Sequence, residues 1–169
     1  MSRPDAPTGD QATISISVAV EPDVAFEVFT QETDLWWRRG VRYRLAGRRP
    51  GVLCFEPGAG GRLFESFETS SGAQVFEVGR VTVWEPPSRL VFTWRNANFS
   101  AEESTEVEVR FEPIWTGTRV TVQHRGWSAL RPGHPARHGL EDAAFSRMIG
   151  LWWGDLMTAL REFIETRDD

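Results

Sequence analysis

Residues 79–94 read GRVTVWEPPSRLVFTW, and this stretch decides the fold. Apolar and polar residues alternate on both sides of Pro86-Pro87-Ser88. A period of two marks a half-buried strand. A connection as short as Pro-Pro-Ser sends the chain back antiparallel to itself. The stretch therefore predicts strands over 74–85 and 89–96. Working outward, strands are expected at 104–113 and 118–125, joined at Thr116-Gly117, and upstream at 62–67, 51–56 and 41–46. Ser70-Ser71-Gly72, the PGAGG run at 57–61 and Arg49-Pro50-Gly51 supply the turns. None of these connections leaves room for a crossover helix, so the sheet is an antiparallel meander.

The flanks differ in period. TISISVAV (13–20) is one more alternating strand. Glu21-Pro22-Asp23 then opens a helix with Pro in its first turn and acids suited to the dipole. Val24, Ala25, Phe26, Val28 and Phe29 give it an apolar face, and a short second helix is expected from Glu32 to Trp37. Near the C-terminus Phe145, Met148, Ile149, Trp152, Leu156, Leu160 and Phe163 recur at helical spacing, which predicts one helix over 140–165. An antiparallel sheet needs one face covered, and this helix is long enough to do it. The expected fold class is α+β: a curved antiparallel sheet wrapped around a long C-terminal helix, with two small N-terminal helices. One domain is expected over 12–166, with residues 1–11 a disordered arm.

Composition narrows the function. Eight tryptophans stand beside a single tyrosine in 169 residues, and four of them form the pairs Trp36-Trp37 and Trp152-Trp153. Indoles supply large apolar area while keeping one N–H that wants a partner. The formal charge is −5, which disfavours nucleic-acid binding. No stretch approaches the roughly 18 apolar residues of a membrane span, and MSRPDAPTGDQ lacks the apolar core of a signal peptide, so the cytoplasm is the expected location. All the basic residues are arginine, which excludes Schiff-base chemistry on lysine. Cys54 is alone, and His124, His134 and His138 are scattered, so neither a metal site nor a cofactor is expected.

Several strings carry a resemblance. GRVTVWEPPSRLVFTW (79–94) and STEVEVRFEPIWTGTRVTVQHRGW (104–127) closely resemble the paired-strand signatures of the activator of Hsp90 ATPase homologue-like branch of the START-like, helix-grip superfamily. EPGAGGRLFE (56–65), ISVAVEPDVAFEVFT and the Trp pair (16–37), and WWGDLMTALREFIE (152–165) are similar to its bacterial single-domain members. The resemblance spans about residues 12–166 and implies a helix-grip fold with a gap between sheet and helix. In the co-chaperone such a domain is joined to a separate Hsp90-binding domain, for which 169 residues leave no room. Fold alone does not fix function.

Alternation assigns the cavity-facing set. Candidate ligand-binding residues are Phe29, Trp36 and Trp37 from the N-terminal helices, and Leu63, Glu65, Phe76, Arg80, Phe92, Trp94, Val109, Phe111, Val122 and His124 from the strands. Met148, Trp152 and Leu156 come from the last helix, where Trp152 is expected to be buried more deeply than Trp153. Gly150 and Gly154 flank that Trp pair, for close packing against the indoles or for plasticity at an entrance. His124 is the candidate acid–base or head-group residue, and Arg80 could hold a carboxylate. The leading reading is a container for a small apolar or aromatic ligand. The others are a cyclase- or hydrolase-type enzyme in the same cavity, and a homodimeric or co-chaperone-like interaction module with indoles at its interface.

Overall fold

The computed structural model of the protein describes residues 11–47, 50–95, 104–127 and 142–167. Strand β1 (Gln11–Val18) leads into helices α1 (Pro22–Gln31) and α2 (Thr33–Trp36). The meander follows: β2 (Gly51–Phe55), β3 (Arg62–Thr69), β4 (Gly72–Glu85), β5 (Arg89–Trp94), β6 (Thr105–Ile114) and β7 (Gly117–Arg125). Helix α3 (Asp142–Arg167) comes last. The seven strands form one sheet in the order β1-β7-β6-β5-β4-β3-β2, with every described pair antiparallel. The expected α+β helix-grip architecture is the one observed. The expected arm at 1–11 lies, apart from Gln11 in β1, outside the described residues, as do His134 and His138.

The concave face is built by the predicted alternation. Leu90 and Phe92, Val107, Val109 and Phe111, and Val120 and Val122 are all buried. Phe26 and Phe29 of α1 and Trp153, Leu156, Met157, Leu160 and Ile164 of α3 close over them. Glu106, Glu108, Arg110 and Arg125 project from the opposite face; Arg89 and Arg125 reach Glu108 from the neighbouring strands, Arg125 also pairs with Glu106, and Arg110 pairs with Glu108 along β6.

Three expectations need correction. The segment 41–46 is a closed loop and not a strand. Gly40 and Gly47 take positive φ of 112° and 66°, the Arg44 N–H donates to Gly40 O at 2.9 Å, and Gly40 and Gly47 are bridged at 3.0 Å. The alternation of Val41, Tyr43 and Leu45 imitates a strand, but the glycines at both ends let the chain turn back.

Arg80 does not face inward. Register slips between Leu63 and Phe64 on the β3 side of β4, and between Val81 and Val83 on its β5 side. Each slip adds a residue and exchanges the faces. The inward residues are therefore Phe76, Val78, Val81 and Trp84, in steps of two, three and three. Arg80 falls between the slips, exposed and paired with Glu77 at 2.9 Å. Gly79 marks the first slip: a Cβ there would lie 1.7 Å from Thr93 O.

The core stripe of α3 keeps Leu156 and Leu160 but takes the other indole of the pair. Trp153 is fully buried, whereas Trp152 is half-buried. The glycines do not serve the indoles either. A Cβ on Gly150 would make ordinary contact with Ile14 and Ala12 at 3.8 and 4.0 Å, and one on Gly154 would meet nothing within 4 Å.

Candidate functional site: a cavity under a clasped loop

The loop between Gly40 and Gly47 is held from three directions. Beneath it, Arg44 has a buried guanidinium that donates to the Asp34 carboxylate, to Asp34 O at 2.8 Å, to Trp37 O at 2.7 Å and to Arg38 O at 3.2 Å. These carbonyls belong to α2 and the residues just after it, which a four-residue helix leaves without intrahelical donors. From the sheet, the buried Glu65 carboxylate accepts the N–H groups of Leu45 (2.9 Å) and Ala46. A buried carboxylate needs such partners. From α3, the Trp152 indole N–H donates to Arg42 O at 2.6 Å, Tyr43 OH donates to Asp155 at 2.9 Å, and the Tyr43 and Trp152 rings stack at 5.9 Å. Burial and the Asp155 carboxylate push the Tyr43 phenol above its usual range.

Under this loop lies a cavity of about 180 Å³. Its apolar walls include Trp37, Trp94, Trp152, Tyr43, Phe76 and Val78, and its charged members are Arg42, Arg44, Arg95 and Glu65. Trp37 and Trp94 are nearly parallel, 16° apart with ring centres at 5.9 Å, and Trp152 meets both edge-on at 5.9 and 5.6 Å. The two tryptophan pairs, distant in sequence, thus meet directly, Trp37 touching both Trp152 and Trp153.

His124 lies outside the cavity wall. Trp153 donates its indole N–H to His124 Nδ1 at 3.1 Å, and Nε2 is 2.7 Å from Thr105 Oγ1. An indole can only donate, so Nδ1 accepts and the ring proton sits on Nε2. Thr105 passes its own proton to Trp94 O at 3.2 Å. Full burial pushes the imidazole pKa down to about 3, which keeps it neutral. Both ring nitrogens are committed to protein groups, the arrangement of a core histidine.

The structure gathers part of the expected set. Trp37, Glu65, Phe76, Trp94 and Trp152 line the cavity. Phe29, Trp36, Leu63, Phe92, Val109, Phe111, Val122 and Leu156 fill the solid core. Met148 is half-buried on α3 outside the cavity wall, and Arg80 is on the surface. Sequence reasoning missed Val41, Arg42, Tyr43, Arg44 and Leu45, because the loop reads as a strand, together with Leu53, Val78 and Arg95. The sole tyrosine, between two arginines and two glycines, was the available signal. Among the described residues no group of His, Cys, Asp and Glu is placed to hold a metal ion, and no helix is long and apolar enough to cross a membrane.

A curled antiparallel sheet gripping a C-terminal helix, with a small aromatic cavity at one end of the grip, defines a helix-grip protein. The model of the family described as activator of Hsp90 ATPase homolog 1-like protein matches residues 19–148, and the chain belongs to this family. No curated protein sequence matches the chain significantly. Solved structures share the fold at low identity. The protein of unknown function SA2116 from Staphylococcus aureus is 16% identical with a TM-score of 0.66, covering 94% of each chain. Protein MLL2253 from Mesorhizobium loti is 18% identical with a TM-score of 0.61, over 94% of this chain and 98% of that one. The Aha1 dimer from Colwellia psychrerythraea is 16% identical with a TM-score of 0.57, over 92% and 96%.

Proposed function

We propose that the protein binds a small aromatic molecule in the cavity beneath the Gly40–Gly47 loop. The observation that carries this reading is an aromatic-walled space of about 180 Å³ between the sheet, the loop and α3. Pockets for drug-sized ligands run to roughly 300–1,000 Å³, whereas an apolar cavity of about 150 Å³ suffices for benzene. The size supports a one-ring ligand. Trp37, Trp94 and Trp152 are the contact residues of this reading, with Tyr43 and Phe76 completing the wall.

The enzyme reading loses its main support, since His124 is held neutral and bonded on both sides away from the cavity. A homodimer is a compatible second reading. It is favoured by Trp115, 99% exposed after β6, and by the dimeric state of the Colwellia neighbour; light scattering of the purified protein tests it. The container reading is tested by thermal shift and indole fluorescence with one-ring aromatics. A ligand that binds only the native state raises Tm by mass action. Quenching that saturates, with a matching rise in Tm, is expected. No response to any ring compound would reject the reading.

A further inference from the structure

Resting on that reading, we propose that residues 41–43 are a gate over the cavity, hinged at Gly40 and at the Tyr43 carbonyl and latched to α3 by the side chains of Tyr43, Trp152 and Asp155. The loop is held unevenly. Its second half is bolted down. Arg44 and Glu65 are only 4% and 2% exposed, and they tie it to α2 and β3 through charge-assisted hydrogen bonds. The bolted part begins at Tyr43 O, which accepts the Trp37 indole N–H at 3.1 Å. The first half has no such anchor. Val41 is 90% exposed, and Arg42 is exposed too. Among the described residues, the hydrogen bonds that this half makes outside the loop go to α3. Arg42 O accepts the Trp152 indole N–H, and Tyr43 OH donates to Asp155. At its start Gly40 has a φ of 112°, and a Cβ there would meet nothing within 4 Å, so backbone freedom and open space coincide at this end.

Latch and cavity wall share their groups. Tyr43 and Trp152 close the latch, and both line the cavity. Swinging 41–43 away from α3 therefore removes one side of the wall and opens a way in. A ring packed against Tyr43 and Trp152 keeps both contacts only in the closed state, so its binding favours closure. The latch itself is light. It consists of two hydrogen bonds and a ring stack at half-buried positions, where water competes for the same donors and acceptors. Loops held in this way open on the time scale of ligand exchange. Asp155 belongs to the latch and not to the wall, so it can be changed without touching the ligand.

The test follows three indole protons by NMR hydrogen exchange in the full-length parent, D155A and D155N. The Trp152 proton reports the latch, the Trp37 proton the bolted half, and the Trp153 proton the core. D155N keeps a side-chain oxygen for the Tyr43 hydroxyl and is expected to match the parent. D155A is expected to speed exchange at Trp152 by about 10-fold, the worth of one such hydrogen bond, and to leave Trp37 and Trp153 unchanged. Toluene, followed by indole fluorescence after rapid mixing, is expected to enter and leave D155A faster by a similar factor. Its affinity is expected to stay the same, because the closed state remains the dominant one. Unchanged Trp152 exchange in D155A overturns the latch. Equal acceleration at Trp37 and Trp152 overturns the hinge, since the whole loop would then move together. Faster Trp152 exchange with unaltered toluene rates overturns the gate and leaves the container reading intact. Failure of toluene to bind the parent overturns the container reading and the gate with it.

Discussion

Trp152 and Trp153 are neighbours with different jobs. Trp153 is fully buried, and its N–H is the donor that His124 Nδ1 accepts. Trp152 is half-buried and spends its N–H on the loop carbonyl of Arg42. Trp153→Ala is therefore expected to destabilise the domain by about 3–5 kcal/mol, through lost burial and a cavity. It also strips a buried imidazole of its partner. Trp152→Ala is expected to cost about 1–2 kcal/mol, since less apolar area leaves contact, and to weaken aromatic ligands more than it weakens the fold. Urea midpoints of the two variants check the order, and a larger effect at Trp152 would contradict it. The helical spacing of α3 was legible in the sequence, but the choice between the two indoles was not. Stripes through Trp152, Leu156 and Leu160 and through Trp153, Leu156 and Leu160 are equally apolar. What separates them is a hydrogen bond to a strand 29 residues upstream.

Three strands show what periodicity can and cannot fix. In β6 and β7 the alternation runs unbroken, and Val109, Phe111 and Val122 lie where it puts them. In β4 two register slips exchange the faces and restore them, so Trp84 keeps the predicted side while Arg80 does not. Gly79 is the local trace of that bulge, and Gly79→Ala is expected to be strongly destabilising, because its Cβ would overlap Thr93 O. A variant as stable as the parent in thermal melts would refute the bulge as drawn. Gly154 in α3 predicts the opposite sign. A Cβ there meets nothing within 4 Å, so Gly154→Ala is expected to raise stability by about 0.5–1 kcal/mol through helix propensity and a less flexible unfolded chain. Slower ligand exchange in that variant would point to plasticity at the entrance as the reason for the glycine. The Gly40–Gly47 loop is the element the sequence concealed, and the missed half of the cavity wall went with it. Its conformation depends on Glu65, Asp34 and Asp155, none of which is local to it.

At the scale of the whole molecule, pH reads how the polar groups were buried. His124 has a folded pKa near 3 against an ordinary value of 6.5. Below pH 6.5 the unfolded chain takes up a proton that the folded chain refuses, so stability falls as pH drops from 6.5 toward 3. One such residue sets a slope of at most about 1.4 kcal/mol per pH unit. Glu108, desolvated but held by Arg89 and Arg125, has its pKa below 4.5, so its contribution is present above that value and is lost as pH falls through the lowered one. At the alkaline end the shifts point the other way. Burial raises the Cys54 thiol above 9.0 and the Tyr43 phenol above 10.0, so the unfolded chain ionises first and stability declines as pH passes those values. The expected profile is a plateau between about pH 7 and 9 with a fall on either side. His124→Gln, which cannot titrate, is expected to flatten the slope between pH 6.5 and 4.5 while leaving the alkaline limb unchanged. Urea midpoints across this range, with the His124 imidazole followed by NMR, check it. An imidazole that titrates near 6.5 in the folded protein would show that His124 is open to solvent and return it to the list of ligand-binding groups.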